Sequence, residues 1–430
     1  MRHLILGTGP AGITAAETIR QHAPDDEIIL VGDELEPPYA RARLPQWLSG
    51  AIGEQDLRQR THPDHFRRLG IRLRLGRARR IQTQANSVLF EDGGKLPYDR
   101  LLIATGARPV APVITGLRSP GVHACWTMQD ARDILARLRL RPRARVVLIG
   151  AGYIGCVLMQ ALAARGVELT VVEKGMRMMP HLIGEGASRV VRQWCQTKGI
   201  RVVTGTRVRA IAASSDGTQL PVPPSAPLAA WLSSGEVVQA DVIIHATGHA
   251  PNTAFLQESG IRCASGILVD DRMQTSVPGI FAAGDCAEVF DSELGRTVIS
   301  AMQWNAVEQA RCAGLNMTGR HATQHRVRQV DMMELLGLPL ASFGHWRGVS
   351  GGQWVEMSDE RNFRYLRLEF GKDVLVGSNA VGLSDHAGVL RELIQRRIAL
   401  GEWKDRLLHD PSLLADAYRA CTGQRQSHAR

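Results

Sequence analysis

The chain has 430 residues, 44% of them hydrophobic and 22% charged, a composition that suits two or three globular domains at roughly 150 residues each and excludes a disordered or fibrous protein. No stretch reaches the roughly 18 consecutive apolar residues of a membrane span. The net charge is +10, yet 47 of the 52 basic residues are arginine, and no helix-turn-helix or RNA-binding motif accompanies them, so nucleic acid is not an expected partner.

The N-terminus runs directly into an apolar strand, His3-Leu4-Ile5-Leu6, which leaves no room for a signal peptide ahead of the fold and makes a cytoplasmic protein the expectation. That strand leads into Gly7-Thr8-Gly9-Pro10-Ala11-Gly12 and a helical run from Ile13 to Gln21. A second apolar run, Ile28 to Val31, ends at Gly32-Asp33. A G-x-G-x-x-G between a strand and a helix is a dinucleotide-binding signature. Gly7 makes the tight turn, Gly9 admits a pyrophosphate to the helix N-terminus, and Gly12 lets the helix pack on the strand. Asp33 is spaced to accept hydrogen bonds from an adenosine ribose.

Residues 41 to 80 hold eleven arginines against three acids, Glu54, Asp56 and Asp64. This segment is either a docking face for an acidic partner or a solvated surface. Further on, Tyr98 to Ile103 is an apolar strand entering the turn Ala104-Thr105-Gly106.

The dinucleotide pattern then returns: Arg145 to Ile149, Gly150-Ala151-Gly152-Tyr153-Ile154-Gly155, a helical run to Arg165, and a strand ending at Glu173. Residues 212 to 236 read as an exposed, proline-rich insertion between strands. The strand and turn of residues 98–106 recur as Ala240 to Ile244 followed by Ala246-Thr247-Gly248. The segment Thr275 to Cys286 closes on Gly284-Asp285, and Trp304 to Ala310 reads as a helix. Beyond residue 320, Phe363 to Phe370 alternates as a half-buried strand, Val389 to Ile398 reads as an amphipathic helix, and the tail from Trp403 to Tyr418 has helical spacing. The seven cysteines contain no CxxC, so neither a zinc nor an iron–sulfur framework is present, and no metal site is expected.

Two complete fingerprints, with these motifs in this order, resemble the flavin-dependent pyridine nucleotide disulfide oxidoreductase superfamily over roughly residues 1 to 320. The resemblance implies an α/β protein with two Rossmann-like domains: an FAD domain of residues 1–115 and 250–318, an NAD domain of 116–249 inserted in it, and a C-terminal α+β interface domain of 319–430 that supports a homodimer. It implies that FAD is held by Gly7, Gly9, Pro10, Ala11, Gly12, Asp33, Ala78, Ala104, Thr105, Gly106, Gly284 and Asp285, the last bonding the ribityl chain. Arg41, Gln46, Gln303, Trp304 and Asn305 would lie around the flavin. NAD(H) would be held by Gly150, Gly152, Tyr153, Ile154, Gly155, Glu173, Thr247 and Gly248. Arg41 and Tyr153 are the residues implied closest to the chemistry, Tyr153 as the aromatic covering the flavin until nicotinamide displaces it.

A carboxylate at Glu173 can bond both ribose hydroxyls and would repel a 2′-phosphate. This favours NADH over NADPH, although Lys174 and Arg177 could reach a phosphate. The acceptor is narrowed by absences. No cysteine precedes Cys125, which removes the redox CxxxxC of the disulfide reductases, and the single redox cysteine of the coenzyme A disulfide reductases and NADH oxidases would fall at Ala42. What remains resembles ferredoxin and rubredoxin reductases, the flavin part of nitrite reductases and the carbon monoxide dehydrogenase-associated oxidoreductases, whose PYxRxxL pattern is matched by Tyr39, Arg41 and Leu44. Gln46 stands where ferredoxin reductases often carry lysine, and Val157 where a glutamate is usual. The expected function is transfer of hydride from NADH to FAD and of electrons onward to an acidic iron–sulfur carrier. An NADH oxidase, or an NADH-responsive flavoprotein with little turnover, is the alternative.

Overall fold

The computed structural model describes residues 1–60, 62, 64–213, 226–291, 295–324 and 330–427. Two five-stranded parallel sheets are built on one plan. In the first, Arg2–Leu6 lies at the centre, flanked by Glu27–Gly32 and Ile71–Leu75 on one side and by Arg100–Ile103 and Ile280–Ala282 on the other. In the second, Arg145–Ile149 is central, with Glu168–Val172 and Arg201–Val203 on one side and Val242–His245 and Val122–Ala124 on the other.

The near-continuous apolar runs of these strands follow from burial on both faces. Ile5, Ile28, Leu30 and Leu102 point toward the helices Pro10–His22 and Gln303–Met317. Their neighbours Leu4, Leu6, Ile29 and Leu101 point the other way, onto an antiparallel layer that includes Ile81, Val88 and Phe90. The second sheet repeats this arrangement. Val146, Leu148, Leu169 and Val171 face helices, whereas Val147, Ile149 and Val172 face an antiparallel layer of Val208–Ala213, Leu228–Leu232 and Val237–Ala240. Leu30 is fully buried, and truncating such a side chain to alanine costs about 2–5 kcal/mol.

That second antiparallel layer corrects the reading of residues 212 to 236. Ala212, Ala213, Leu228, Ala229 and Ala230 are buried strand residues, and Ala213, Leu228 and Ala230 pack against Val147, Ile149 and Val172 of the parallel sheet. Residues 214–225, with three of the four prolines that suggested an insertion, Pro221, Pro223 and Pro224, lie outside the described residues.

Ala107–Pro109 and His249–Pro251 pair antiparallel where the chain passes between the two sheets. The C-terminal part is a five-stranded antiparallel sheet that contains Arg364–Gly371, with the helices Ala387–Gln395, Glu402–His409 and Leu414–Ser427. Its apolar face packs on those helices. The other face meets the second unit, where Asn379 Oδ1 accepts the Gly184 N–H at 2.7 Å and Trp194 Nε1 donates to the Leu335 carbonyl at 3.1 Å. Among the described residues no helix is long and apolar enough to cross a membrane.

Candidate functional site

The two glycine loops share the same backbone constraints. Gly7 has φ +116°, and a Cβ there would lie 2.0 Å from the Ala104 carbonyl oxygen. Gly150 has φ +104°, and its Cβ would lie 2.4 Å from that of Ala246. Only glycine fits such a left-handed residue against backbone. A Cβ on Gly12 would meet the Gly7 carbonyl at 1.8 Å, and one on Gly155 the Gly150 carbonyl at 2.1 Å. Gly9 and Gly152 differ, since a Cβ on either meets no protein atom within 4 Å. Each caps its helix with extended backbone and no side-chain hydrogen bond, and neither helix has an acid in its first turn. The N-terminal N–H groups of Pro10–His22 and Tyr153–Ala163 therefore face a cradle suited to an anion.

At the end of the first sheet Asp33 is exposed, 3.8 Å from Arg77 Nε and next to the strand that begins at Ala78. The two small-residue turns are tied to each other across the connecting strands. Thr105 Oγ1 donates to the Asn252 carbonyl at 2.9 Å, Asn252 Nδ2 returns a bond to the Thr105 carbonyl at 2.8 Å, and Thr247 Oγ1 donates to the Val110 carbonyl at 3.0 Å. Gly106 and Gly248 have positive φ beside them.

Gly284 sits between the two helices of the first unit, where its Cβ would approach Ala11 at 3.2 Å and Ala306 at 3.6 Å. Its N–H is held by Gln309 Oε1 at 2.8 Å. The first fingerprint, Asp285 and the start of Gln303–Met317 thus converge. Gln303 and Trp304 are exposed at that helix start, and Asn305 is buried with its Nδ2 donating to Ser300 Oγ at 2.5 Å. Burial raises the Asp285 carboxyl above its ordinary range, opposed by the charges of His249 and Arg41.

Arg41 is anchored from two directions. Its guanidinium pairs with Glu34, which also accepts from Tyr39 Oη at 2.7 Å, and donates to the Trp126 carbonyl at 2.5 Å. The guanidinium also lies 5.5 Å from the Tyr39 ring centre and 5.9 Å from that of Trp126. The next helix, Leu44–Ser49, presents Gln46, whose Oε1 accepts from Arg43 at 3.1 Å, and is capped across the units by Arg165, which donates to the Leu48 carbonyl at 2.6 Å.

In the second unit Glu173 is 7% exposed, and its two oxygens accept the N–H groups of Ala151 and Gly175, each at 2.7 Å. Tyr153 and Ile154 are half-buried at the start of their helix. The structure thus gathers the candidates into three groups: Asp33 and Ala78 at the end of the first sheet, Arg41 and Asp285 beside the first glycine loop, and Gly152 and Glu173 at the second.

Three side chains at this junction escaped the sequence reading: Glu34, Trp126 and His249. His249 carried a usable signal as the titratable residue directly after Thr247-Gly248. Glu34 and Trp126 carried none, because their partners are set by the tertiary fold.

The arginine-rich segment is largely neutralised by acids outside it. Arg60 makes paired bonds of 2.7 Å to Glu17, while Arg74 meets Asp92 and Arg80 meets Glu258. Among the described residues Arg43 and Arg58 make no ion pair.

The pyridine nucleotide-disulphide oxidoreductase family model matches residues 1–314. The epsilon subunit of NADH-dependent phenylglyoxylate dehydrogenase from Aromatoleum evansii is 29% identical over 414 residues, 95% of this chain and 95% of its own. An NADH oxidase of Methanocaldococcus jannaschii is 30% identical over 89% of this chain and 88% of its own. The solved covalent complex of putidaredoxin reductase with putidaredoxin superimposes with a TM-score of 0.85 at 25% identity, covering 98% of this chain and 99% of that one.

Proposed function

The chain belongs to the pyridine nucleotide-disulphide oxidoreductase family, and from that premise we propose that it takes hydride from NADH on FAD and passes the electrons to an iron–sulfur carrier protein. The observation that carries this reading is the pair of matching glycine cradles, one next to Gly284-Asp285 and the other joined to Glu173. Bound FAD supplies the hydride-accepting ring and the means to release electrons one at a time.

The residues present fit both cofactors. The open space at Gly9, beside an uncapped helix N-terminus, suits the FAD pyrophosphate, with Pro10, Ala11 and Gly12 turning the helix away from it. Asp33 and Ala78 would receive the adenosine, and Thr105, Gly106 and Asp285 the ribityl side. Gln303, Trp304 and Asn305 bring a second uncapped helix start to the flavin end, where its positive field favours negative charge on the ring. Gly152 repeats the Gly9 cradle for NAD(H), and Tyr153 and Thr247 border it. Arg41, fixed by Glu34 and the Trp126 carbonyl, holds a cation near Asp285 without solvent reorganisation. The domain division into 1–115 with 250–318, 116–249 and 319–430 is part of this proposal and is supported by the separate sheets.

The putidaredoxin complex supports a protein acceptor. The alternative, reduction of oxygen, is favoured by the Methanocaldococcus jannaschii relative, and against it stands Ala42, exposed where a redox thiol would be needed. A homodimer is supported by the exposed Trp354 and Met332 on the C-terminal sheet, and a cytoplasmic location by seven free cysteines. The deciding experiment is anaerobic reduction of the bound flavin by NADH, followed by mixing with an acidic iron–sulfur protein or with oxygen. Fast reoxidation by the protein and slow reoxidation by oxygen is the expected result, and the reverse would favour an oxidase.

A further inference from the structure

We propose that His249 and Trp126 form a positioning pair for hydride transfer, with Trp126 holding the His249 imidazole where the nicotinamide end of one glycine-loop site meets the flavin end of the other. This rests on the NADH-to-FAD reading and adds to it two residues that neither fingerprint contains.

The course of the backbone puts His249 at that meeting point. Gly150 of the second loop packs on Ala246 and Thr247, with a Cβ there 2.4 Å from the Ala246 carbonyl and 3.5 Å from the Thr247 nitrogen. Two residues after Thr247 comes His249, whose ring stacks on Trp126, the residue whose carbonyl accepts from Arg41 of the first unit. One short segment therefore runs from the second glycine cradle to the surroundings of Arg41, and His249 is its only titratable side chain between Thr247 and Asn252.

Trp126 fixes that imidazole. The two rings stack with centroids 6.2 Å apart and planes inclined by 25°. The tryptophan is itself held at three points, one on the indole and two on its backbone. Its Nε1 donates to the Ala107 carbonyl at 3.1 Å, its backbone N–H donates to Asp130 Oδ2 at 2.9 Å, and its carbonyl accepts from Arg41 at 2.5 Å. Ala107 and Pro251 are register partners on the crossing strands, so the stack is referenced to both connections and to the flavin-side arginine. Trp126 belongs to none of the apolar core clusters, and both rings are half-buried.

Hydride transfer needs the two reacting rings about 3–3.5 Å apart and aligned. An imidazole presents N–H donor capacity in either protonation state, which suits the carboxamide oxygen of a nicotinamide and leaves the ring free to slide if the imidazole is lost. His249 gains and loses no proton in this role. The C4–H bond of NADH breaks with its electron pair going to FAD, and the pair sets only the geometry.

The test uses the FAD-loaded protein and the variants His249→Ala, His249→Gln, Trp126→Leu and Trp126→Phe. FAD per chain, the limiting rate of flavin reduction at saturating NADH, and the long-wavelength charge-transfer absorbance between NAD+ and reduced flavin are measured anaerobically. His249→Ala and Trp126→Leu should keep their FAD, weaken the charge-transfer band and lower the limiting rate by about tenfold or more. His249→Gln and Trp126→Phe should recover most of both signals. A limiting rate within about twofold of the parent in His249→Ala, or loss of FAD from both histidine variants, overturns the proposal. If Trp126→Leu does not fold, the two histidine variants decide the matter alone. Failure of NADH to reduce the flavin of the parent protein would instead remove the functional reading on which the pair depends.

Discussion

Glu173 accepts the backbone N–H of Ala151 through Oε2 at 2.7 Å, joining the end of one strand to the middle of the glycine loop that follows its neighbour. Its second oxygen is held as firmly by Gly175. A carboxylate fixed by two N–H donors cannot swing away from a 2′-phosphate, so this geometry is expected to disfavour NADPH. At limiting nucleotide, stopped-flow flavin reduction should be faster with NADH than with NADPH. Glu173→Gln should narrow that gap and lower stability by about 1.5–3 kcal/mol, the worth of a hydrogen bond to a charged group. Equal rates in the parent, or a preference for NADPH, would transfer control of the site to Lys174 and Arg177.

The glycines of each loop should separate binding from folding. A side chain at Gly9 meets no protein atom within 4 Å, whereas one at Gly12 collides with the Gly7 carbonyl at 1.8 Å. Gly9→Val should therefore fold but release its flavin, and Gly12→Val should be destabilised by more than the usual 1–3 kcal/mol or so of overpacking. By the same geometry Gly152→Val should retain FAD yet lose reduction by NADH. Flavin content and thermal unfolding of the three proteins check this, and a Gly9→Val protein that keeps FAD would break the assignment of the first cradle.

Electrons should leave the flavin without a thiol. Burial pushes the Cys125 thiol up to about 12 and those of Cys286 and Cys312 up to about 11, far from the thiolate character that reactive cysteines need. Cys263 is the exposed cysteine of the chain, and burial raises its pKa too. Native alkylation should label Cys263 first and leave both half-reactions intact. Loss of flavin reoxidation on labelling a single cysteine would refute direct transfer.

The geometry of both glycine loops was legible in the sequence because its requirements are local. A left-handed glycine against a neighbouring strand's carbonyl and an open helix start recur at fixed spacing, as Gly7 and Gly150 show. The C-terminal helices were legible for the same reason, through their periodic apolar positions. The junction was not. Arg41 could be singled out, but its partners Glu34 and Trp126 stand 7 and 85 residues away, and nothing in a linear pattern specifies which acid or which carbonyl the fold brings to it. The arginine count over residues 41–80 overstated the local net charge for a related reason: Glu17, Asp92 and Glu258 lie outside the window that was counted.

That neutralisation sharpens the expectation about the acidic carrier. Of Arg41, Arg43, Arg58 and Arg60, the four arginines nearest the proposed flavin entrance in sequence, Arg41 is committed to Glu34 and Arg60 to Glu17. Arg43 donates to neutral partners, the Asp56 carbonyl and Gln46, and the Arg58 backbone bridges to Tyr39. Their charges are the uncompensated ones, and they flank the loop that carries Arg41. Long-range attraction falls off with a Debye length of about 8 Å at physiological ionic strength, so only uncompensated charge contributes to steering. The double variant Arg43→Gln with Arg58→Gln should lower kcat/KM for an acidic iron–sulfur protein by roughly threefold to tenfold at low salt. The effect should shrink as salt rises, while flavin reduction by NADH should be unchanged. Arg60→Gln should instead disturb local structure, since it leaves Glu17 with His65 as its only ion-pair partner among the described residues. An acceptor reaction indifferent to salt, or one equally impaired by Arg60→Gln, would return Arg43 and Arg58 to ordinary solvated surface.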